Sequence, residues 1–232
     1  MSDQVQEIGN QVVETKDQVR IKADQDQIIA NFIGDMEANL DALDTDAELA
    51  TLMAKRGFKE PKLAQGQALL TALKTAFQTR QVALGTQGEK ATASDSDGKV
   101  ARDKYADFRT TVRTAFTDSD TRKALGVSGL VPVDTEKFLT LAEAGYNAAT
   151  QDAYASPLED LGFDAEEQAA SLATLTVFRA TRTTHQAAIA AAKAATKERD
   201  GAYKLALKWN SALNRMAKIA LRERPDLLAR LR

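Results

Sequence analysis

The amino-acid sequence predicts an all-α fold, an elongated antiparallel helical bundle with long coiled-coil-like helices, on three observations. Alanine is the commonest residue, and 232 residues hold only 4 prolines and 12 glycines, so nearly the whole chain favours helix. Apolar residues recur in alternating steps of three and four along two long runs. Both runs follow the same punctuation: AKRGFKEPKLAQGQALLTALK at 54–74 and EDLGFDAEEQAASLATLTVFR at 159–179 place Gly-Phe ahead of a leucine-bearing amphipathic stretch.

The punctuation points to an internal duplication of about 105 residues. At that offset Gly57 meets Gly162, Phe58 meets Phe163, Ala64 meets Ala169, Leu70 meets Leu175 and Ala115 meets Ala220. Upstream of the corners an offset of 106 matches Phe32 with Phe138, Ile33 with Leu139, Ala38 with Ala144 and Leu52 with Leu158. The chain divides accordingly into a helical extension (1–29), a first repeat (30–125), a linker (126–134) and a second repeat (135–232).

Taken in order, the first element is a helix over about 3–45. Its opening 29 residues have no counterpart in the second repeat and carry a thin apolar stripe. Gly57-Phe58 then reads as a stop: glycine takes the left-handed conformation beyond a helix end and the next apolar side chain folds back onto the last turn. Pro61 suits the first turn of the helix that follows.

That helix is expected over about 60–118, with a seam running Leu63, Gly66, Leu70, Leu73, Phe77, Arg80, Leu84, Gln87, Ala91, Ser94, Gly98, Ala101, Tyr105, Phe108, Val112 and Ala115. Its middle, GTQGEKATASDSDGK at 85–99, resists: three glycines cost roughly 3 kcal/mol relative to alanine and read as a loop. The seam keeps its phase across the segment, which favours one helix with a possible break between Ser94 and Gly98.

The linker GVSGLVPVD is marked by Gly and Pro and is apolar enough to pack. Asp134 is a candidate N-cap for a helix over about 135–155. After Gly162-Phe163, Asp164 with Glu167 forms an acidic version of the capping box. The last helix spans about 164–223, its seam passing through Leu175, Phe178, Arg182, His185, Ile189, Ala192, Thr196, Arg199, Tyr203, Ala206, Asn210, Leu213, Ala217 and Ala220. Each long helix would measure about 90 Å at about 1.5 Å per residue.

Composition narrows the chemistry. With no cysteine there is no disulfide, thiolate site or cysteine nucleophile. The single histidine, His185, stands outside any H-E-x-x-H or Glu-x-x-His pattern, and neither a G-x-S-x-G nor a phosphate-binding glycine loop occurs. Arg80, Arg182 and His185 read as a polar layer that fixes register. Trp209, Tyr105 and Tyr203 fall at helical spacing and read as core. No catalytic residue, cofactor or metal ligand is assigned, and the chain is expected not to be an enzyme. The start, MSDQVQEIGN, lacks a basic stretch followed by an apolar run, and no run approaches the roughly 20 residues of a membrane span, so a cytoplasmic location is expected.

Charge is unevenly distributed. Residues 1–60 hold 6 basic and 13 acidic residues, a net of −7, whereas residues 197–232 hold 10 basic and 4 acidic, a net of +6. Three arrangements satisfy this polarity: the acidic first helix lies along the basic last helix of the same molecule, or along that of a neighbour, or the basic tail meets nucleic acid or anionic lipid. Nucleic acid is disfavoured because the chain is near neutral overall and the tail lacks interleaved aromatic platforms beyond Tyr203 and Trp209. The partners expected by this reasoning are a second copy or another protein.

The run ERDGAYKLALKWNSALNRMAKIALRERPDLLARL at 198–231, with its Arg-Asp pair, Trp209 and Pro-x-Leu-Leu close, resembles a group of uncharacterised bacterial helical proteins. The resemblance implies an all-helical fold and no particular activity. The expected role is a non-enzymatic structural or scaffold protein that self-associates through helical surfaces; the alternative is an adapter that binds a partner protein along its long helical face.

Overall fold

The structure, a computed structural model, describes residues 16–231, with side chains from residue 25 onward. Among these residues there is no strand. Eight helices follow one another: α1 (Lys16–Thr45), α2 (Ala47–Ala54), α3 (Glu60–Ala115), α4 (Ser119–Ala124), α5 (Thr135–Ala148), α6 (Asp152–Glu159), α7 (Ala165–Ala220) and α8 (Pro225–Leu228). Residues 3–15 of the expected first helix lie outside the described residues.

The glycine-rich segment 85–99 is helical, and α3 runs unbroken through it for 56 residues. The seam explains why helix wins over the local preference: Ser94, Gly98 and Ala101 are buried, Gln87 and Ala91 half-buried, and only Leu84 of the seam positions is exposed. Gly98 has a packing reason, since a Cβ there would lie 2.8 Å from the Phe178 ring, whereas Gly85 and Gly88 have nothing within 4 Å.

Two expectations need correction. The single helix expected over 135–155 is two, α5 and α6. The Thr150 hydroxyl takes up the Asn147 carbonyl (2.8 Å), and Gln151, extended at φ −67°, ψ 137°, redirects the chain so that Leu158 and Phe163 reach the core. Asp46 makes the corresponding break between α1 and α2, its carboxylate capping the amides of Glu48 and Leu49 at 3.1 Å. The capping box at Asp164 is half formed: Asp164 accepts from the Glu167 amide (2.9 Å), but the Glu167 carboxylate turns to Lys104 Nζ (2.6 Å). Asp134 caps α5 as expected, accepting from the Lys137 amide at 2.9 Å.

Both Gly-Phe corners close in the same way. The Phe58 amide donates to Met53 O (3.1 Å) and the Gly57 amide to Ala54 O (3.1 Å); the Phe163 amide donates to Leu158 O and the Gly162 amide to Glu159 O, both at 2.9 Å. Gly57 and Gly162 have φ of +90° and +83°. These are the paired bonds of a Schellman stop, and only glycine takes that φ without strain. α3 ends differently, with Arg122 donating to the freed carbonyls of Phe116 (2.7 Å) and Arg113 (3.0 Å).

The helices pack into two units. The terminal unit joins residues 16–85 to 190–231, and the central unit spans Thr86–Ile189, so each long helix contributes one half to each. In the terminal unit, Ile29, Met36, Leu40 and Leu43 of α1 pack with Leu49, Met53, Phe58, Leu70 and Leu73 and with Ala206, Trp209, Leu213 and Ala217 of α7. Gly66 admits the Trp209 ring against the α3 backbone, where a Cβ would lie 2.3 Å from it, and Trp209 Nε1 donates to Lys62 O at 3.1 Å. The central unit gathers Tyr105, Phe108, Phe138, Tyr146, Phe163, Leu175 and Phe178.

Candidate functional site

The terminal unit buries its charged chemistry in one cluster. Arg80 of α3 and Arg199 of α7 are 3% and 1% exposed, a depth at which an uncompensated guanidinium would be strongly destabilising. Asp26 of α1 serves both. Its Oδ2 accepts from Arg80 Nη1 (2.5 Å) and its Oδ1 from Arg199 Nη1. Arg80 Nε also reaches Thr196 Oγ1 (3.3 Å), and Arg199 forks onto Asp200 Oδ1 through Nε (3.0 Å) and Nη2 (2.6 Å). Two cations thus meet two carboxylates and a hydroxyl drawn from three helices. About three turns farther along α1 and α7, Asn39 Nδ2 donates to Asn210 Oδ1 (3.2 Å), a second buried polar tie between these helices.

This cluster pins register. Guanidinium donors have fixed directions, so sliding α1, α3 or α7 by one turn would leave a buried charge unpaired. Sequence reasoning placed Arg80 and Arg199 on the seam but passed over Asp26. A signal existed: Asp26, Ile29, Ile33, Met36, Leu40 and Leu43 continue the three-four spacing along α1, and Asp26 is its one charged member.

The structure does not bring Arg182 and His185 into this cluster. Both belong to the central unit, half-buried, with Arg182 paired to Glu136 across from α5. Of the aromatic residues expected in the core, Tyr105 and Trp209 are buried, and Tyr203 is half-buried with its ring edge-on to Phe32 at 5.1 Å. The Tyr105 hydroxyl donates to Gly126 O (2.8 Å), and burial raises its pKa. Burial also pushes the Tyr146 phenol well above its ordinary value, opposed by the Ser171 hydroxyl beside it; both hydroxyls are buried, and neither makes a hydrogen bond of ordinary geometry.

The linker is held by arginines of α3. Arg102 donates to the carbonyls of Pro132 and Val133 (3.1 Å each), Arg109 to those of Val127 (3.3 Å) and Gly129 (2.6 Å), and Arg113 to that of Val127 (3.2 Å). Only part of the linker packs inward. Val127 is buried and Val131 half-buried, while Leu130 and Val133 are 95% and 91% exposed.

The charge polarity is met within one molecule for the described residues. Asp26 pairs with Arg199, Glu48 with Arg224, and Asp46 with Arg230 (2.5 Å), each joining the acidic N-terminal segment to the basic C-terminal one. Among the described residues no group of three or more His, Asp or Glu could hold a metal ion, and no helix is long and apolar enough to cross a membrane. Comparison with family models, with curated proteins and with solved structures finds no match.

Proposed function

We propose that the chain is a non-enzymatic structural or scaffold protein of the cytoplasm, an elongated antiparallel bundle that arose by duplication and self-associates through helical surfaces. The observation that carries self-association is the set of large apolar side chains left exposed on the two long helices. α3 exposes Val82 (70%) and Val100, and α7 exposes Val177, Leu205 (59%), Leu207 and Ile219, all outside the buried seams. Duplication is supported by helices of equal length 105 residues apart, α2 with α6 and α3 with α7, and by identical bonding at their corners. An antiparallel course of α3 and α7 within the terminal unit is supported by the falling series of partners there, Gly66 with Trp209 and Arg80 with Thr196.

Sedimentation velocity over a hundredfold concentration range at low salt tests the proposal. The expected result is a weight-average mass that rises with concentration. A chain that is monomeric throughout would sink self-association.

A second reading, an adapter for another protein, is favoured by Leu130 and Val133. Their exposure on a segment whose backbone is fixed by three arginines gives a preorganised apolar contact, the kind that anchors interfaces at low entropic cost. Under that reading Leu130→Asp with Val133→Asp abolishes partner capture and leaves self-association untouched.

A further inference from the structure

The two Gly-Phe corners share a backbone and oppose one another in charge. Residues 54–62, AKRGFKEPK, hold four cations and one carboxylate, a net of +3; residues 159–167, EDLGFDAEE, hold five carboxylates and no cation. At the 105-residue spacing Lys55, Lys59 and Lys62 correspond to Asp160, Asp164 and Glu167. Lys55, Arg56 and Lys59 are exposed, as are Glu159, Asp160 and Asp164.

Carboxylates at the start of α7 follow the helix dipole, whereas cations at the start of α3 oppose it. Within the chain Lys62 is turned over the Phe58 ring at 4.3 Å, which leaves Lys55, Arg56 and Lys59 facing water beside a single carboxylate, Glu60. Beside them lies an open depression of about 580 Å³ lined by Thr51, Ala54, Lys55, Gly57 and Lys59. The acidic corner carries at its tip a large apolar residue, Leu161, 46% exposed where the basic corner has Arg56.

We infer that the basic corner of one molecule receives the acidic corner of a second copy of this chain, with Leu161 entering the depression and Asp160 and Asp164 facing Lys55 and Lys59. The occupant follows from the charge and from the shared backbone: the acidic corner is a ready counterpart, with opposite sign at matching positions. Each copy uses two different patches, so the contact is head-to-tail and grows into a ring or a filament rather than stopping at a dimer. The inference rests on the self-association proposed above and says where one such contact lies.

Charge exchange tests it on the full-length chain. One variant carries Lys55→Glu, Arg56→Glu and Lys59→Glu; the other carries Glu159→Lys and Asp160→Lys. Both are expected to keep wild-type helix content: Lys59→Glu puts a carboxylate at the start of α3 and the two lysines of the other variant stand at the end of α6, as the dipole favours, while Lys55 and Arg56 are exposed beyond the end of α2, where the opposing effect is small and screened. Each variant alone should associate at least tenfold more weakly than the wild type in sedimentation at low salt. An equimolar mixture of the two should regain association, since reversed corners are again complementary. Leu161→Asp should weaken assembly with both charge sets intact. If both variants assemble as the wild type does, the corner contact is wrong while self-association stands. A wild type that is monomeric at every concentration removes both proposals. A monomer that binds anionic lipid vesicles, with binding lost in the Lys55, Arg56 and Lys59 variant, assigns the basic corner to lipid and overturns the inference.

Discussion

The terminal and central units each hold a Gly-Phe corner and one half of each long helix, yet beside their apolar cores they bury different chemistry. Where the terminal unit has Asn210 and Leu213 on α7, the central unit has Tyr105 and Phe108 on α3, 105 residues earlier. The terminal unit encloses two arginines around Asp26; the central unit encloses rings, with Phe108 centred 5.0 Å from Tyr146 and 4.8 Å from Phe163. The same corner geometry thus accommodates an apolar core with an added buried ion-pair cluster in one unit and a core rich in rings in the other. An ion-paired centre specifies register; an aromatic centre contributes apolar burial and ring contacts worth about 0.5–1.5 kcal/mol each.

The largest effects come from emptying either centre. Phe108→Ala should destabilise the central unit by about 3–5 kcal/mol, because the cavity it leaves is ringed by stiff aromatics that cannot collapse. Asp26→Ala should cost about 3 kcal/mol by leaving the buried Arg80 guanidinium without a carboxylate and Arg199 with Asp200 alone. Denaturant midpoints measure both. The comparison sharpens with a triple change, Asp26→Leu, Arg80→Met and Arg199→Met, which should recover most of the loss, as apolar replacement of a buried ionic cluster commonly does. A triple variant no more stable than Asp26→Ala would mean that the ions supply net stability rather than register.

The next effect lies where a helix backbone meets a ring. Gly66→Ala should destabilise by about 1–3 kcal/mol, because the new methyl would lie 2.3 Å from the Trp209 ring held by its bond to Lys62 O. Gly98→Ala should cost less, at 2.8 Å from a Phe178 ring with no such tether. The opposite order in thermal melts would show that the central unit is the tighter of the two.

Smaller still are changes at Tyr146 and Gly88. The folded pKa of Tyr146 lies above the unfolded value near 10, so the stability tied to its neutral phenol is complete below pH of about 10 and is lost as pH rises beyond it. Tyr146→Phe should leave neutral stability nearly unchanged, as its buried hydroxyl makes no hydrogen bond of ordinary geometry and faces only the Ser171 hydroxyl, and should flatten the alkaline loss in a pH series of melts. Gly88→Ala, in open space within α3, should raise stability by about 0.5–1 kcal/mol; a loss would mean that the helix bends there.

Much of the fold was legible because it depends on period and punctuation. Three-four spacing carried α3 through three glycines, and Gly57 and Gly162 marked both corners. The end of the first helix at 45 was expected, but the break at Gln151 was missed because no proline or cluster of turn residues marks it; the chain turns there to bury Leu158 and Phe163, a demand of tertiary packing that no local residue announces. The polar cluster was half legible. Arg80 and Arg199 stood out on the seam, but Asp26 lay in a segment without a repeat partner, and its role depends on two helices that are distant in sequence.

Small-angle X-ray scattering across a concentration series at low salt tests the central claim, an elongated self-associating bundle, most directly. At the lowest concentration the account predicts a radius of gyration well above the roughly 17 Å of a globule of this length. Forward intensity per unit mass should then climb as concentration rises. A radius near that of a globule, with forward intensity per unit mass constant throughout, would contradict it.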